Sequence, residues 1–407
     1  MNAVDQVLAN LDDVNSWQEE LYVALHQNPE LSMQESETAE EIARRLESFG
    51  YEVQRIGGGV VGRLRNGEGP TVLFRADIDA LPVAEASGLP YASTKTMVDR
   101  DGVTQPVMHA CGHDHHITAG LGAAALLAQS QDAWAGTYIA LFQPGEETAE
   151  GARSMVKDGL VEKVGPIDVA LGQHVLTSPA AGQVATHSGP TLSAAASLRI
   201  HIVGKGSHGS MPHLGIDPVL MAASIVVRLQ GIVAREINPN DFAVVTVGSI
   251  KSGTKANVIP GDATMLLNIR AYSEDIKAKL IDSITRIARA ECEASGAPEA
   301  PTIEVFDEYP LTDNDAGATS KVTAAFTSHF GEDRVQPLGR VTASEDFSVI
   351  PDAFGVPYSY WGFGGFTPDQ VALPNHNPGF APAMQPTLRT GTEAAVTAIL
   401  AFLGKGN

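Results

Sequence analysis

Eight consecutive residues, His109-Ala110-Cys111-Gly112-His113-Asp114-His115-His116, carry four imidazoles, a thiol and a carboxylate, and Glu146-Glu147 follow thirty positions after His116. Thiolate, imidazole and carboxylate are the donors that zinc and manganese bind directly, so the pattern predicts a metal centre. A two-metal hydrolytic site needs about three protein ligands per ion, a bridging group, open positions for water and substrate, and one carboxylate left to act as base. This chain offers that set. One glycine separates Cys111 from His113, which lets both side chains converge on one small volume, and a Cys111 thiolate can bridge two cations. The competing reading is a buried cysteine beside helix-capping polar residues.

Glu146 and Glu147 follow a predicted strand and the Pro144-Gly145 turn. Adjacent side chains there cannot point the same way, so one can ligate while the other handles protons. Standing alone they would read as two surface glutamates, and the strand-end position favours chemistry. His174, at a third strand end, and His376, in Asn375-His376-Asn377-Pro378-Gly379, are lone histidines of the kind that more often fill structural roles. His208 and His213 flank Gly209-Ser210-Met211-Pro212 and either contact substrate or decorate a turn. His26, His187, His201 and His329 read as structural or surface residues.

The elements that must position these groups follow from apolar periodicity. Val4, Leu8, Leu11, Trp17, Leu21 and Leu25 recur at helical spacing, and a second amphipathic stretch runs from Ser36 to Phe49. Short apolar strands then end in polar residues: Thr71 to Phe74 leads into Asp77 and Asp79, Thr137 to Phe142 into Glu146 and Glu147, and Asp168 to Leu171 into His174. Strands alternating with helices predict an open, mostly parallel α/β sheet that binds ligands beyond its C-terminal strand ends.

Near Ser193 the pattern changes. Strand Ser197 to Val203, helix Pro218 to Arg235, strands Phe242 to Ser249 and Thr264 to Tyr272, and helix Glu274 to Ala294 make a β-α-β-β-α order in ferredoxin-like style. Gly296 to Pro301 reads as a return linker, after which Thr302 to Phe306 and Pro357 to Gly362 look like further strands of the first sheet, and a closing helix runs from about Thr387 to Leu403. The expected layout is a catalytic domain over 1–190 and 302–407, with an α+β domain inserted over 191–301.

A length of 407 residues suits two domains, and 43% hydrophobic residues is ordinary globular composition. A net charge of -21 makes nucleic acid and anionic membrane poor partners and suits small-molecule chemistry. The first 27 residues have no basic, apolar signal pattern, and no apolar run reaches spanning length. With Cys111 and Cys292 as the only cysteines, a disulfide scaffold is not expected and a reducing cytoplasm is.

Five motifs taken in order resemble the M20 metallopeptidase family: Asp77-Ile78-Asp79-Ala80-Leu81-Pro82, Met108-His109-Ala110-Cys111-Gly112-His113-Asp114, Gln143-Pro144-Gly145-Glu146-Glu147, Gly206-Ser207-His208-Gly209-Ser210-Met211-Pro212-His213 and Asn375-His376. The nearest likeness is to its aminoacylase and amidohydrolase branch, which includes hippurate hydrolases, auxin-conjugate hydrolases, N-acetyl-diaminopimelate deacetylases and acylglutamine aminoacylases. The resemblance implies a zinc-peptidase-like catalytic domain with a mostly parallel central sheet and an inserted ferredoxin-like lid or dimerisation domain.

It also implies roles. Cys111 would stand where the wider family has a bridging carboxylate, with Glu147 and His376 completing one metal and His113 and His174 the other; Glu146 would be the general base. Asp79 matches a position that holds a metal-binding histidine in place, although here Asp77 replaces the histidine two residues earlier. His208 resembles the lid histidine that polarises the scissile carbonyl, and Asn257 and Arg270 resemble lid residues that meet the substrate carboxylate, for which an arginine fork is apt. The implied reaction is hydrolysis of an N-acyl amino acid to a carboxylic acid and an amino acid, in a homodimer or homotetramer, with two divalent metal ions: zinc first, then manganese, cobalt or nickel. The rivals are dipeptidase or carboxypeptidase action, and metal or acyl amino acid binding without turnover. Tyr358, Tyr360, Trp361, Phe363 and Phe366 read either as walls of an apolar acyl pocket or as core.

Overall fold

The computed structural model describes residues 2–405 and divides into two units, one made of the chain up to Gly189, Asp313–Gly339 and the chain from Asp346 on, the other of Pro190–Thr312 and Arg340–Glu345. In the first unit eight strands form one sheet in the order Glu52–Ile56, Gly59–Asn66, Gly136–Gln143, Thr71–Asp77, Val169–Ala180, Tyr358–Phe366, Val184–Thr186 and Val335–Pro337. The four central strands are parallel. The Glu52–Asn66 hairpin adds antiparallel pairing at one end, and Val184–Thr186 runs antiparallel to Tyr358–Phe366.

Helix His113–Gln129 is buried from His113 through Leu127, as expected of a helix apolar on every face. Helices Leu11–Gln27 and Met384–Leu403 pack against it. Gln18 ties the three together: its Nε2 donates to the Thr118 carbonyl and to Thr392 Oγ1, both at 2.9 Å. The N-terminal stretch expected from Val4 to Leu25 is two helices, Ala3–Leu8 and Leu11–Gln27, because a break at Ala9-Asn10 resets a periodicity that spacing alone leaves continuous. All nine residues of Tyr358–Phe366 are buried, and Trp361 packs against Phe74 and Phe326, so its aromatics belong to the core.

The second unit is a four-stranded antiparallel sheet in the order Ala243–Lys251, Asp262–Ala271, Ala194–Val203 and Thr302–Tyr309. The expected β-α-β-β-α order lacks its last member. Thr302–Tyr309 pairs with Ala195–His201 rather than joining the first sheet, which completes a β-α-β-β-α-β ferredoxin-like unit, and the unit continues to Thr312 instead of ending at 301. The reason is edge pairing. A half-buried strand leaving helix Glu274–Ala294 finds an open ladder on Ala194–Val203 next to it in the same unit.

Helix Pro218–Arg235 starts where Asp217 accepts from the Val219 and Leu220 amides ahead of Pro218 at the first helical position. Met221, Ala222, Ile225, Leu229 and Ile232 form its buried stripe. It is the one helix among the described residues that is long and apolar enough to cross a membrane. Leu220 and Val227 on its other side are 64% and 72% exposed.

Candidate metal centre

Strand Thr71–Asp77 leads to a buried polar network. The Arg75 guanidinium is wholly buried and meets Asp77 at 2.7 Å and Asp346 at 3.2 Å. Its Nε donates to Gln143 Oε1, whose amide nitrogen donates to Asp346 at 2.6 Å. Buried charges persist when each one is hydrogen-bonded in this way. The network joins the ends of the two neighbouring strands from which Asp79 and Glu146-Glu147 depart.

Gly112 shapes the turn into helix His113–Gln129. Its φ of 83° is left-handed, and a Cβ there would stand 2.4 Å from Val175 Cγ1, so any other residue would be strained and would have to push the Val175 side chain aside. The turn aims Cys111 and His113 at one point. Among the donor groups whose ligating atoms lie within 4.8 Å of one another, two contain Cys111: Cys111, His113 and His174, and Cys111, Glu147 and His376; a further group joins His113 to Glu146 and Glu147. His376 reaches the site from a loop in which it holds a φ of 68°, its amide donating to the Ala110 carbonyl at 2.8 Å.

The 3-10 turn Glu146–Thr148 is held from three sides. Gly145 N donates to Glu35 Oε1 at 2.7 Å, Glu147 N donates to Asp79 Oδ2 at 3.0 Å, and Ser32 Oγ donates to the same Asp79 oxygen at 2.6 Å. Asp79 also takes the Nδ1 proton of His113, through its carbonyl at 2.9 Å and its carboxylate at 3.1 Å. That leaves His113 Nε2 as the nitrogen facing the donor cluster.

Electrostatics favour cations here. Burial alone would raise the Cys111 thiol, but the imidazoles of His174, His113 and His376 hold it well below its usual range, and the thiolate is the form that ligates metals. Burial, then the Cys111 charge, lifts Glu147 to about 7. Hydrogen bonds to Cys111 and Glu147 push His376 up to about 10. His113 Nε2 and Glu147 Oε1 are buried without a hydrogen-bond partner. Orphaned atoms beside two crowded anionic groups fit divalent cations, which would satisfy both at once.

Glu146 is 5% exposed, with Oε2 at 3.9 Å from His113 Nε2, the same distance as Glu147 Oε1. His208, Asn257 and Arg270 belong to the second unit. There Ser207–His208 pairs with Val258–Ile259, and Gly209 N donates to the Asn257 carbonyl at 2.8 Å, so His208 and Asn257 are neighbours. Arg270 donates to the Thr342 carbonyl at 2.6 Å and to Ser344 Oγ at 3.1 Å.

Sequence reasoning missed two contributors. Asn375 Nδ2 lies 3.3 Å from Cys111 Sγ, and His116 bonds Asp77. His26, expected to be structural or at the surface, is structural, buried between Asp114 at 2.7 Å and Glu85 at 3.0 Å. The three-residue step from His113 to His116 puts both on one helix face, the one local sign that they share an environment.

The profile of Peptidase family M20/M25/M40 matches residues 73–401. Thermostable carboxypeptidase 2 of Saccharolobus solfataricus is 34% identical over 413 residues and covers 100% of both chains. N-acetyl-L-cysteine deacetylase of Bacillus subtilis is 34% identical, covering 86% of this chain and 83% of its own. A crystal structure of a Bacillus subtilis protein, described as a dinuclear metal binding peptidase from M20 family, superposes with a TM-score of 0.77 at 26% identity over 96% of this chain and 99% of that one. The profile match begins inside strand Thr71–Asp77, takes in every member of both donor groups and ends in the closing helix, and on that span the chain belongs to Peptidase family M20/M25/M40.

Proposed function

We propose that the protein is a metal-dependent amidohydrolase that cleaves N-acyl amino acids to a carboxylic acid and an amino acid. The observation that carries this reading is Cys111 shared by two donor groups, with the Glu146 carboxylate beside them. Cys111, His113 and His174 would hold one ion and Cys111, Glu147 and His376 the other. With divalent cations there, a water is acidified and the scissile carbonyl polarised. Glu146 would take a proton from the attacking water as the water oxygen bonds to the acyl carbon, and would return that proton to the amine nitrogen as the C–N bond breaks. Asp79 keeps His113 in the tautomer that ligates.

Zinc suits a shared thiolate best; manganese, cobalt and nickel are accepted by the same donors. His208 is assigned to the scissile carbonyl, and Asn257 and Arg270 to the substrate carboxylate. His208→Ala is expected to lower kcat with metal content unchanged, and native turnover by that protein removes His208 from its role. With no disulfide and a thiolate donor, we place the protein in a reducing cytoplasm.

The carboxypeptidase named among the relatives supports a second reading, cleavage of a peptide bond next to a terminal carboxylate. Amino acid release from a panel of N-acyl amino acids and dipeptides, with and without chelator, decides between them. Chelator-sensitive release from acyl amino acids supports the first reading, and release confined to dipeptides supports the second. No release from either, with metals bound, overturns both.

We also infer a homodimer or homotetramer. The outer side of helix Pro218–Arg235 carries exposed Leu220 and Val227, and Ala243–Lys251 is an edge strand of its sheet. Sedimentation of a Leu220→Lys, Val227→Lys double variant is expected to show a smaller species than the parent. An unchanged species places the interface elsewhere.

A further inference from the structure

Strands Thr71–Asp77 and Val169–Ala180 pair in parallel from Val72–Val169 to Arg75–Gly172 and then separate. Beyond the last pair, the imidazole of His116 takes the place of a strand partner: the Val175 amide donates to His116 Nε2 at 2.8 Å. An Nε2 that accepts carries no proton, so the proton of the neutral ring is on Nδ1, which lies 2.5 Å from Asp77 Oδ1. The carbonyl of the same Val175 is 2.7 Å from His174 Nδ1. A carbonyl only accepts, so His174 is protonated on Nδ1, and its Nε2, 3.4 Å from Cys111 Sγ, is the nitrogen placed to ligate.

We propose that His116, fixed by Asp77, is a positioning residue for His174 and thereby selects the affinity of one of two metal ions. The line runs His174 to Val175 to His116 to Asp77, each donating to the next, and Arg75 anchors the far end at 2.7 Å from Asp77. The link through Val175 is geometric, because its N–H and C=O belong to different peptide groups. Fixing that backbone fixes where the His174 ring can point. His116 is itself a poor ligand, although its ring stands within reach of Asp77 and His113, because both its nitrogens are engaged. The second donor group, Cys111, Glu147 and His376, meets this line only at the shared Cys111, 3.4 Å from His174 Nε2. Asp79 serves both groups, bonding His113 Nδ1 and the Glu147 amide, whereas the line through His116 reaches His174 and neither Glu147 nor His376.

This rests on the two-ion reading above, and the test separates the two. Stepwise binding of cobalt(II) is followed by its visible absorption in the full-length parent, His116→Leu, His116→Asn and His116→Gln, together with the melting temperature of each metal-free protein. Leucine removes both hydrogen bonds, asparagine keeps a donor for Asp77 without reaching Val175, and the Gln Oε1 can accept from the Val175 amide. Leucine and asparagine are expected to weaken one binding step by about 10- to 100-fold and leave the other as in the parent, while glutamine restores most of the loss. Asparagine covers the case in which leucine beside the buried Asp77 prevents folding. Equal weakening of both steps, native binding in the asparagine variant, or glutamine as poor as asparagine overturns the positioning role. A parent that binds only one ion overturns the two-ion reading, and this proposal with it.

Discussion

Glu146→Gln is expected to lower kcat by about 10³-fold while the protein keeps its metal content and its melting temperature. The amide has the shape of the carboxylate and fits the same buried position, yet it cannot take a proton from water or return one to the leaving nitrogen. Metal analysis is essential to the result, because Glu146 and Glu147 stand at the same 3.9 Å from His113 Nε2 and distance alone does not separate base from ligand. The distinction comes from the partners. Both glutamates belong to a donor group with His113, but only Glu147 also joins Cys111 and His376, its Oε2 3.3 Å from His376 Nε2. The matching Glu147→Gln protein is therefore expected to lose an ion, as its partner variant does not. A Glu146→Gln protein that loses metal reverses the two assignments; one that turns over at the native rate ends the base assignment.

Cys111→Ala is expected to abolish turnover and to drop bound metal from two ions per chain to less than one, measured by elemental analysis after gel filtration. No other residue has a ligating atom in both donor groups, so its loss strips a donor from each ion together. Cys111→Asp is the informative companion. A carboxylate can also bridge two cations, so this protein should regain two ions and part of the activity, with preference moved from zinc toward the harder manganese. An aspartate variant as empty as the alanine one would show that the thiolate does not bridge. Retention of one tightly bound ion in Cys111→Ala would show the same by a different route.

Much of this was readable from residue types. Helices Pro218–Arg235 and Glu274–Ala294 were delimited to the residue because Asp217 and Ser273 cap them and apolar residues recur at 3.6 spacing inside. Cys111, His113 and Glu147 stood out because they lie in two short segments crowded with possible ligands, whereas His174 and His376 stand alone in sequence. What stayed hidden depends on pairing at a distance. Thr302–Tyr309 alternates in a way that suits either sheet, and only its ladder with Ala195–His201 decides. His116 lies 39 residues from Asp77 in sequence, and nothing local announces their hydrogen bond. Asn375 and Cys111 are 264 residues apart. Arg75 reads as a strand residue of no special kind until Asp346 arrives beside it.

That last separation bears on how the protein comes to be made. Synthesis runs from the N-terminus, and segments begin to fold as they emerge. A chain on the ribosome that has passed His174 already has one complete donor group in Cys111, His113 and His174. The other waits for His376, whose loop must then dock its amide on the Ala110 carbonyl. On the two-ion reading, a chain that has not reached His376 would lack a donor for the second ion, so hydrolysis would report that synthesis had passed that residue.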